Sequence, residues 1–475
     1  MSEHDIALRA ARLGTVAAAL FLGGCMNFVP AYERPVAPVP ASYAPELLPA
    51  GGSAAGAAAA EIDWQRYFAD ARLRRLIEIA LANNRDLRVA ILNIEQARAA
   101  YQIKRADELP TLGGGFTAQR QPGGSGGLVN TYALGLQVTG YELDLFGRVR
   151  ALSQAAQSQL LATEEARKTV QISLISSVAS AYVALLADDE LLRVTRDTLK
   201  TRDESFKLTK LKFDNGAASQ LDTSQAEQLL ESARATLAQT QRQRSLDENA
   251  LVLLLGQAVP AELPAPLPIA GQQGVTDLPA GLPSELLTRR PDVRSAEQQL
   301  LAANANIGAA RAAFFPRISL TANAGTASTE LDGLFKSGTW AITGTASIVQ
   351  AIFDSGRNQA NLDVAKVNKD IAIAQYEKAI QTAFREVSDA LAGRATLGEQ
   401  LRAQTALANA AQTTYNLADL RYRNGAASYL DVLDAQRSLF TAQQGVVQVQ
   451  ALQVQNLMTL YKALGGGWVD RAERS

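Results

Sequence analysis

The sequence contains one pattern twice. The pentapeptide Asn-Gly-Ala-Ala-Ser at positions 215–219 recurs 209 positions later, at 424–428. At the same offset, Gly147-Arg148 corresponds to Gly356-Arg357. Similarity at a fixed offset is typical of a tandem duplication. The chain is therefore predicted to contain two copies of one structural unit.

Long helices are predicted in both copies, because proline is absent over long distances. No proline occurs between Pro122 and Pro260 or after Pro316, and a helix interior rarely tolerates proline. In the first of these stretches, apolar residues recur every seven positions, which is typical of a coiled-coil seam. These residues are Val178, Leu185, Leu192, Leu199, Phe206 and Phe213. A continuous helix from Arg148 to Phe213 would be about 100 Å long at 1.5 Å per residue.

Each copy also contains a predicted β-hairpin, at about 111–144 and at about 317–352. In the first hairpin, Tyr132, Leu134 and Leu136 alternate with small or polar residues, as in a strand with one apolar face. Strands of about ten residues with this pattern fit a tilted transmembrane strand. They also fit a half-exposed soluble sheet, so the pattern alone leaves both alternatives open.

The number of predicted strands bears on the assembly. Four strands are too few to close a barrel, and lipid does not tolerate an open sheet edge. Membrane strands would therefore have to be completed by further copies of the chain. Two copies would give eight strands around a filled interior, and three would give twelve, which is enough for a channel. The sequence predicts a homo-oligomer without fixing the number of copies.

The N-terminus has the features of a bacterial lipoprotein signal. Residues 15–24 form an apolar run after Arg9 and Arg12, which suits an export signal and is too short to cross a bilayer. The run ends at Leu-Gly-Gly-Cys, which resembles the lipobox of bacterial lipoproteins. We therefore expect a mature chain that begins at Cys25 and carries a covalent diacylglycerol and an N-acyl chain there. No other cofactor is expected.

Composition excludes several classes of function. The chain has 46 Lys and Arg residues against 47 Asp and Glu residues, and this balance argues against a nucleic acid partner. Its one histidine, His4, and its one cysteine, Cys25, both precede the predicted fold. Zinc sites and histidine- or cysteine-based catalysis are therefore not expected, and no phosphate-binding Gly-x4-Gly-Lys-Ser/Thr loop occurs. The chain is not expected to be an enzyme or to hold a metal.

The domain boundaries follow from these features. Prolines, alanines and glycines after Cys25 predict an extended tether between the anchor and the fold. The expected segments are a signal peptide at 1–24, the lipid anchor and tether at 25–62, a first repeat at 63–260 with a helical hairpin turning near 215, an inter-repeat linker at 261–282, a second repeat at 283–467 turning near 424, and a C-terminal tail at 468–475.

Four motifs occur in order along this duplicated frame. They are Trp64-x3-Phe68-x-Asp70, Arg289-Arg290-Pro291-Asp292-Val293, Ala312-Ala313-Phe314-Phe315-Pro316, and the segment from Tyr429 to Arg437. In this combination the chain resembles the TolC-like outer-membrane efflux factors, and within them the lipoprotein branch called the NodT type. The resemblance covers essentially the whole mature chain.

The resemblance implies an α+β membrane protein that works as a homotrimer. Four strands per chain would form a twelve-stranded outer-membrane β-barrel, and the long helical hairpins would form a periplasmic α-barrel. The implied partners are outer-membrane lipid, a periplasmic adaptor (membrane fusion protein) and an inner-membrane pump of the resistance-nodulation-division type. The chain would be the passive outer-membrane channel of a tripartite efflux system, lipid-anchored, membrane-spanning and extending into the periplasm.

The resemblance also assigns roles to residues around the two helical turns. Adaptor contacts are implied at the turns, and a gate is implied beside the second turn, where three copies would close the tube. The adaptor residues are Gly216, Ala217, Ala218, Gly425, Ala426, Ala427 and Ser428. The gate residues are Tyr422, Leu430, Asp431, Asp434 and Arg437, with an Arg–Asp pair between helices as a latch. The alternatives are plain helix-hairpin turns and a solvated helix face.

Other functions remain open at this point. Within the channel class, the cargo could be drugs or other toxic compounds, metal ions, or proteins exported by type I secretion. A structural coiled-coil periplasmic lipoprotein with a soluble sheet is an alternative of another class. A hydrolase that uses a pair of carboxylates would need acids that converge in a cleft, and Asp431 and Asp434 on one helix do not supply them.

Overall fold

The structure is a computed structural model that describes residues 26–47, 58–122, 124, 126–272, 278–281 and 283–468. The predicted signal peptide, Cys25 and most of the predicted tail lie outside the described residues. The chain forms two compact units. Unit one comprises the residues up to 36 together with 93–164 and 295–377, and unit two comprises 37–92, 165–294 and the residues from 378 onward.

Unit one contains a four-stranded antiparallel sheet. Its strands are β1 (Leu112–Pro122), β2 (Leu128–Glu142), β3 (Arg317–Ser328) and β4 (Trp340–Val349). They lie side by side in chain order, so β2 pairs with β3 across the two repeats. Within the described residues, β1 and β4 each have one edge without a neighbouring strand. The prediction of two hairpins and four strands per chain is confirmed.

The register gives the sheet two unlike faces. Side chains along each strand point alternately to the two faces of the sheet. Paired residues on neighbouring strands, such as Phe116 with Leu134 and Thr326 with Trp340, lie on the same face. The apolar face carries Leu112, Phe116, Leu134, Leu136, Val138, Ala322, Ala324, Ile342, Ala346 and Ile348. The polar face carries Thr117, Gln119, Thr131, Gln137, Asn323, Thr343 and Thr345.

Nine α-helices lie in the described parts of the chain. They are α1 (Trp64–Tyr67), α2 (Ala71–Asn83), α3 (Arg85–Ala106), α4 (Arg148–Asp214), α5 (Gln220–Leu255), α6 (Leu286–Arg289), α7 (Pro291–Ala312), α8 (Arg357–Arg423) and α9 (Tyr429–Ala463). Short 3-10 helices occupy Pro45–Leu47, Ala59–Glu61, Ile269–Gln272, Pro283–Glu285 and Leu331–Phe335. The predicted long helical hairpins are confirmed as α4–α5 and α8–α9.

Helices α4 and α8 have 67 residues each. The apolar seam predicted for α4 is buried at Val178 and Leu192, which are 0% and 3% exposed, whereas Phe213 near the helix end is exposed. By length and composition alone, α4 could cross a membrane. Half of its most apolar 18-residue window is, however, buried inside the protein. Burial against other helices therefore accounts for this apolar stretch.

Unit two is built around the aromatic motif at the start of the first repeat. Trp64, Tyr67 and Phe68 are at most 2% exposed. The ring of Tyr67 stacks on that of Tyr461, with centroids 3.9 Å apart, and its hydroxyl donates to the carbonyl oxygen of Leu457 at 2.8 Å. Because Tyr461 and Leu457 lie on α9, the motif joins the first repeat to the last helix of the second.

Asp70 of the same motif is a buried structural carboxylate. It caps α2 by accepting from the backbone N–H of Arg72 at 2.7 Å. It also accepts from the Tyr182 hydroxyl at 3.0 Å, the Leu267 backbone N–H at 3.1 Å and the Gln272 side-chain amide. Asp70 therefore holds the predicted inter-repeat linker against α2 and α4. This motif residue acts in the packing of the fold.

Candidate functional site

The two long hairpins turn through the same backbone geometry. Each first helix ends just before a glycine, Gly216 or Gly425, and both glycines have φ of 72°. The Gly216 N–H donates to the Phe213 carbonyl oxygen at 2.9 Å, and the Gly425 N–H donates to that of Tyr422 at 3.1 Å. Glycine suits this left-handed conformation because it has no Cβ. The repeated pentapeptide therefore encodes a helix stop.

The return helices start with the same cap. In the first hairpin, the Asp222 carboxylate accepts from the backbone N–H of Ser219 at 3.0 Å. In the second, the Asp431 carboxylate accepts from the backbone N–H of Ser428 at 3.2 Å and from its hydroxyl at 3.1 Å. This is the pairing of a capping box. Asp431, which the resemblance assigns to the gate, therefore also fixes the start of α9.

The residues proposed for adaptor contact lie at these two turns. Among them, Ala218 and Ala427 are half-buried, and the remaining five are exposed. A Cβ added at Gly216 or Gly425 would meet no atom within 4 Å. The turns are therefore open to a partner, and contact with an adaptor stays a prediction.

An apolar cluster lies beneath the turns, and we call it the tip cluster. Tyr422 packs against it, with its ring centroid 5.2 Å from that of Tyr429. The Lys212 ammonium lies 3.9 Å from the Tyr422 ring centroid, close enough for a cation–π interaction. The buried members are Ala226, Leu229, Tyr429, Val432 and Leu433, with Phe206, Tyr415, Ala418 and Tyr422 packed against them. Tyr422 therefore links the ends of α8 and α4 within one chain.

The other predicted gate residues lie on the exposed side of α9. Leu430 is 59% exposed, and Asp434 and Arg437 are also exposed, whereas Val432 and Leu433 are each 1% exposed. Asp434 and Arg437 do not form an ion pair with each other in the described structure. The structure thus brings these three side chains to one accessible face and leaves the latch between helices as a prediction.

A polar stripe on α4 was not predicted. Asp188, Thr195, Arg202 and Thr209 are 6%, 0%, 4% and 0% exposed, and we call these four residues the polar stripe. They follow one another at seven-residue spacing, so they share one helix face. The sequence signal was available, because these positions continue the line of Leu174 and Ala181 with polar residues. Buried polar groups at such positions weaken helix packing unless they are paired.

Asp188 has an unusual proton affinity. Burial, and then the carboxylates of Asp247 and Asp189, raise its pKa to about 7, while Arg244 opposes the shift. Arg244 itself binds Asp189 at 2.6 Å and Glu248 at 2.9 Å. The Asp188 carboxyl, hydrogen-bonded to Asp247, therefore holds its proton more tightly than an exposed aspartate does.

In the described residues, no group of three or more His, Cys, Asp or Glu side chains could hold a metal ion.

The residues that follow Cys25 are held against unit one. The Met26 N–H donates to the Leu145 carbonyl oxygen at 3.2 Å, just after strand β2. Phe28 stacks on Phe315 with centroids 4.6 Å apart, and Phe315 stacks on Phe146 at 4.9 Å. Cys25 itself lies outside the described residues, but its neighbour Met26 is fixed beside the end of a strand.

The same segment is fixed further along by a charged pair. Arg34 binds Glu297 through two hydrogen bonds of 2.7 and 3.0 Å, and the Tyr32 hydroxyl donates to Glu297 at 2.9 Å. Gly308 gives the segment room, because a Cβ there would lie 2.8 Å from the backbone nitrogen of Val29. The segment from Met26 to Arg34 therefore follows a defined path.

A sheet with one apolar and one polar face, combined with two helical hairpins of this length, defines the class of outer-membrane channel subunits. The family model described as "Outer membrane efflux protein" matches residues 76–257 and 282–466. The chain belongs to this family, and the two matched ranges fall within the two predicted repeats, apart from one residue of the linker. It is an outer-membrane component of an efflux pump and extends into the periplasm.

Relatives match over almost their whole length. A toluene efflux pump outer membrane protein, TtgC of Pseudomonas putida, is 47% identical over 97% of this chain and 96% of its own. The outer membrane protein OprJ of Pseudomonas aeruginosa is 45% identical over 95% of this chain and 94% of its own. The resemblance to outer-membrane efflux factors is confirmed.

Solved structures agree in fold. The open state of the Neisseria gonorrhoeae MtrE outer membrane channel gives a TM-score of 0.84 at 42% identity, over 93% of this chain and 98% of that one. A membrane protein from Pseudomonas aeruginosa gives a TM-score of 0.86 at 43% identity, over 93% and 98%. The predicted fold class is thereby confirmed.

Proposed function

We propose that three copies of the chain form a passive outer-membrane channel that carries out no reaction of its own. Each copy would contribute four strands to a twelve-stranded barrel and two helical hairpins to a periplasmic tube. A periplasmic adaptor would bind the tube, and an inner-membrane pump of the resistance-nodulation-division type would supply the energy.

The two-faced open sheet is the observation that carries this proposal. Its apolar face is exposed in the single chain: Ile342, Ile348 and Phe116 are 71%, 68% and 56% exposed. Exposed apolar surface of this kind is stable in lipid and unfavourable in water. The free edges of β1 and β4 cannot remain unpaired in a bilayer. Pairing β4 of one copy with β1 of the next would satisfy both edges and close the barrel.

The cargo that we propose is small organic molecules, including solvents and antibiotics. Relatives are named for efflux of toluene, of solvents and of antibiotics. In the proposed barrel the polar face would line the lumen. That face offers uncharged hydroxyl and amide groups, at Thr117 and Gln119 on β1 and at Thr343 and Thr345 on β4. Glu142 and Arg317 at the strand ends pair with each other at 2.6 Å, and a hydrated lumen of this kind would let uncharged organic molecules pass.

We propose that Cys25 carries the lipid anchor. The lipobox at the end of the signal supports this, and so does the fixed position of Met26 next to the end of β2. A strand end is where a membrane barrel meets the lipid surface, so acyl chains on Cys25 would insert without unfolding the segment that follows. Two or more acyl chains make such an anchor stable.

We propose that the tip residues bind the adaptor and that the exposed face of α9 forms the gate. The open space around Gly216 and Gly425 supports adaptor contact. The exposure of Leu430, Asp434 and Arg437 on one face supports contact between copies. Converging carboxylates repel one another, so Arg437 of one copy would have to neutralise Asp434 of another. Adaptor binding would then separate these side chains.

A cell-based experiment tests the proposal. A strain that lacks the gene should become sensitive to toluene, and the wild-type gene should restore resistance. The double variant Asp434→Ala, Arg437→Ala should assemble but leak, so that cells become sensitive to bulky antibiotics that the outer membrane excludes. The matched control is Gln225→Ala, Gln228→Ala, which changes the corresponding positions of the first repeat and should not leak.

Several outcomes would contradict the proposal. Unchanged toluene sensitivity with increased sensitivity to copper or zinc salts would favour metal efflux, and loss of an exported protein would favour type I secretion. No change in any of these, together with a loop between β1 and β2 that cannot be labelled on intact cells, would leave a structural lipoprotein. Normal antibiotic sensitivity at normal protein levels would remove Asp434 and Arg437 from the gate.

A further inference from the structure

Arg202 occupies an unusual environment in the middle of the polar stripe. The residue is 4% exposed. Its Nη1 atom donates to the Leu229 carbonyl oxygen on α5 at 3.1 Å, and its guanidinium carbon lies 5.2 Å from the Phe440 ring centroid on α9. Its Nε atom is buried and has no acceptor in the described residues. Arg202 therefore keeps donor capacity that no group in the described part of the chain uses.

Among the described residues, no carboxylate provides a counter-charge to Arg202. Burial, followed by the positive charge of Arg437, lowers its pKa, and the only opposing contribution comes from Tyr429. The one carboxylate among the described residues that line the cavity beside Arg202 is that of Asp197, which binds Arg193 at 2.9 Å and is largely exposed to solvent. A buried charge is unfavourable unless it is paired. The site therefore favours the arrival of a negative group.

A cavity adjoins Arg202 and has room for such a group. It has a volume of about 250 Å³ and lies between α4, α8 and α9. Its lining includes Thr198, Thr201, Tyr415 and Gln436, which supply hydroxyl and amide groups, and Leu439 and Phe440, which supply an apolar wall. Most of these side chains are half-buried, so solvent reaches the cavity. Its volume exceeds that of several water molecules.

We propose that this cavity is a carboxylate-binding site in which Arg202 is the charged donor. A planar carboxylate can accept two parallel hydrogen bonds from a guanidinium, and the apolar wall suits an attached hydrocarbon or ring. The carboxylate comes either from a small organic acid or from an acidic side chain of a second copy of the chain. In both cases it ties α4 to α8 and α9 beneath the tip cluster.

Thermal unfolding of the full-length protein in detergent tests the proposal, with sodium benzoate compared with sodium chloride at equal ionic strength. Saturating benzoate should raise the Tm of the wild type by about 2 °C or more, because a ligand that binds only the folded state stabilises it. Arg202→Gln should abolish the shift, and Arg202→Lys should keep part of it. The control is Arg196→Gln, an exposed arginine on the same helix, which should respond like the wild type.

An electron microscopy map of the wild-type protein in benzoate identifies the source of the carboxylate. This measurement does not require a variant to fold. Benzoate density on the guanidinium, together with the Tm shift, assigns the site to small acids. An acidic side chain of a second copy against Arg202, together with no benzoate shift, assigns it to the chain itself. The proposal is overturned if the map shows no carboxylate at Arg202 in benzoate, or if benzoate raises the Tm of Arg202→Gln as much as it raises that of the wild type.

Discussion

The two long hairpins share their turns and differ in their buried faces. At the turns, Gly216 and Gly425 have the same φ, and the side chains of Asn215 and Asn424 donate to a carbonyl oxygen four residues back at 2.7 and 2.8 Å. Serine–aspartate caps follow in both hairpins. The tips of the two repeats are therefore equivalent in local geometry.

The difference lies along α4 and α8. The polar stripe of α4 corresponds, 209 positions later, to Leu397, Gln404, Ala411 and Ala418 of α8. Of these only Gln404 is polar, and its side-chain amide donates to the Ala442 carbonyl oxygen at 3.2 Å. The repeats therefore share their local turn chemistry but not the buried polar residues of the first long helix. Because buried polar groups weaken apolar packing, we expect the first hairpin to be the easier one to hydrate and open.

The largest expected effect concerns the pH dependence of stability. The pKa of Asp188 is raised from the ordinary aspartate range to about 7, so the folded state holds the proton more tightly than the unfolded state. The contribution of Asp188 to stability is therefore greatest at low pH and falls as pH rises from about 4 to about 7, by at most about 1.4 kcal/mol per pH unit. Asp188→Asn should remove this slope in chemical denaturation of the detergent-solubilised protein between pH 5 and pH 8.

Leu397→Asn, at the corresponding position of α8, is the matched control and should leave the slope unchanged. If Asp188→Asn keeps the full pH slope of stability, another group binds the proton. The two hairpins would then not differ through the titration of Asp188.

The second prediction tests the equivalence of the turns. Gly216→Val and Gly425→Val should each destabilise the turn by about 1–3 kcal/mol, because a β-branched residue is strained at positive φ while the surrounding space is open. Hydrogen exchange of the tip amides should increase equally in both variants. Asparagine at either position should be much better tolerated. Clearly unequal effects would show that the two turns are not equivalent.

The third prediction concerns a buried hydroxyl of the polar stripe. The Thr195 hydroxyl is buried without a hydrogen-bond partner in the described part of the chain. Thr195→Val should therefore raise the free energy of unfolding by about 1 kcal/mol. The control is Thr413→Val on α8, where the exposed hydroxyl binds the Asn409 carbonyl oxygen at 3.0 Å and the effect should stay within about 0.5 kcal/mol. Destabilisation by Thr195→Val would mean that the hydroxyl is paired.

The smallest expected effect separates the cap from the gate. Asp222→Ala and Asp431→Ala each remove one capping carboxylate, so each should cost about 0.5–1 kcal/mol at its turn. The loss in stability should be similar in the two variants. Leakage of bulky antibiotics should appear only with Asp431→Ala, because the gate is proposed on the second hairpin. Equal leakage from both would reduce the role of Asp431 to helix capping.

Much of the fold could be predicted because it depends on local patterns. Proline-free heptads define α4, alternation defines the apolar strands around Leu134, and Asn-Gly pairs define the turns. The roles of Asp70 and Tyr67 in joining distant parts of the fold could not be predicted, because Tyr182, Leu267 and Gln272 for Asp70, and Leu457 and Tyr461 for Tyr67, lie more than 100 residues away in the chain. Such contacts depend on how the helices pack, and the spacing of residues does not reveal it.

The candidate site was predicted less completely. The exposure of Leu430 and Arg437 follows from helical spacing, and the open turns follow from Gly216 and Gly425. The buried state of Arg202 was missed, because an arginine in a helix is usually exposed. Only the seven-residue spacing from Asp188 indicates that it lies on a packed face. In the proposed gate, the residues that meet Leu430 and Arg437 belong to other copies of the chain. The sequence of one copy does not show how the copies are arranged.

Single-particle electron microscopy of the mature protein in detergent shows the number of copies and the pairing of their strands in one experiment. We predict a three-fold assembly in which β4 of each copy pairs with β1 of the next, giving twelve strands, with the apolar face of the sheet toward the detergent. The helical hairpins should form one tube that ends at Gly216 and Gly425. A monomer that stays soluble without detergent, or a sheet whose polar face meets the detergent, would contradict a trimeric outer-membrane channel.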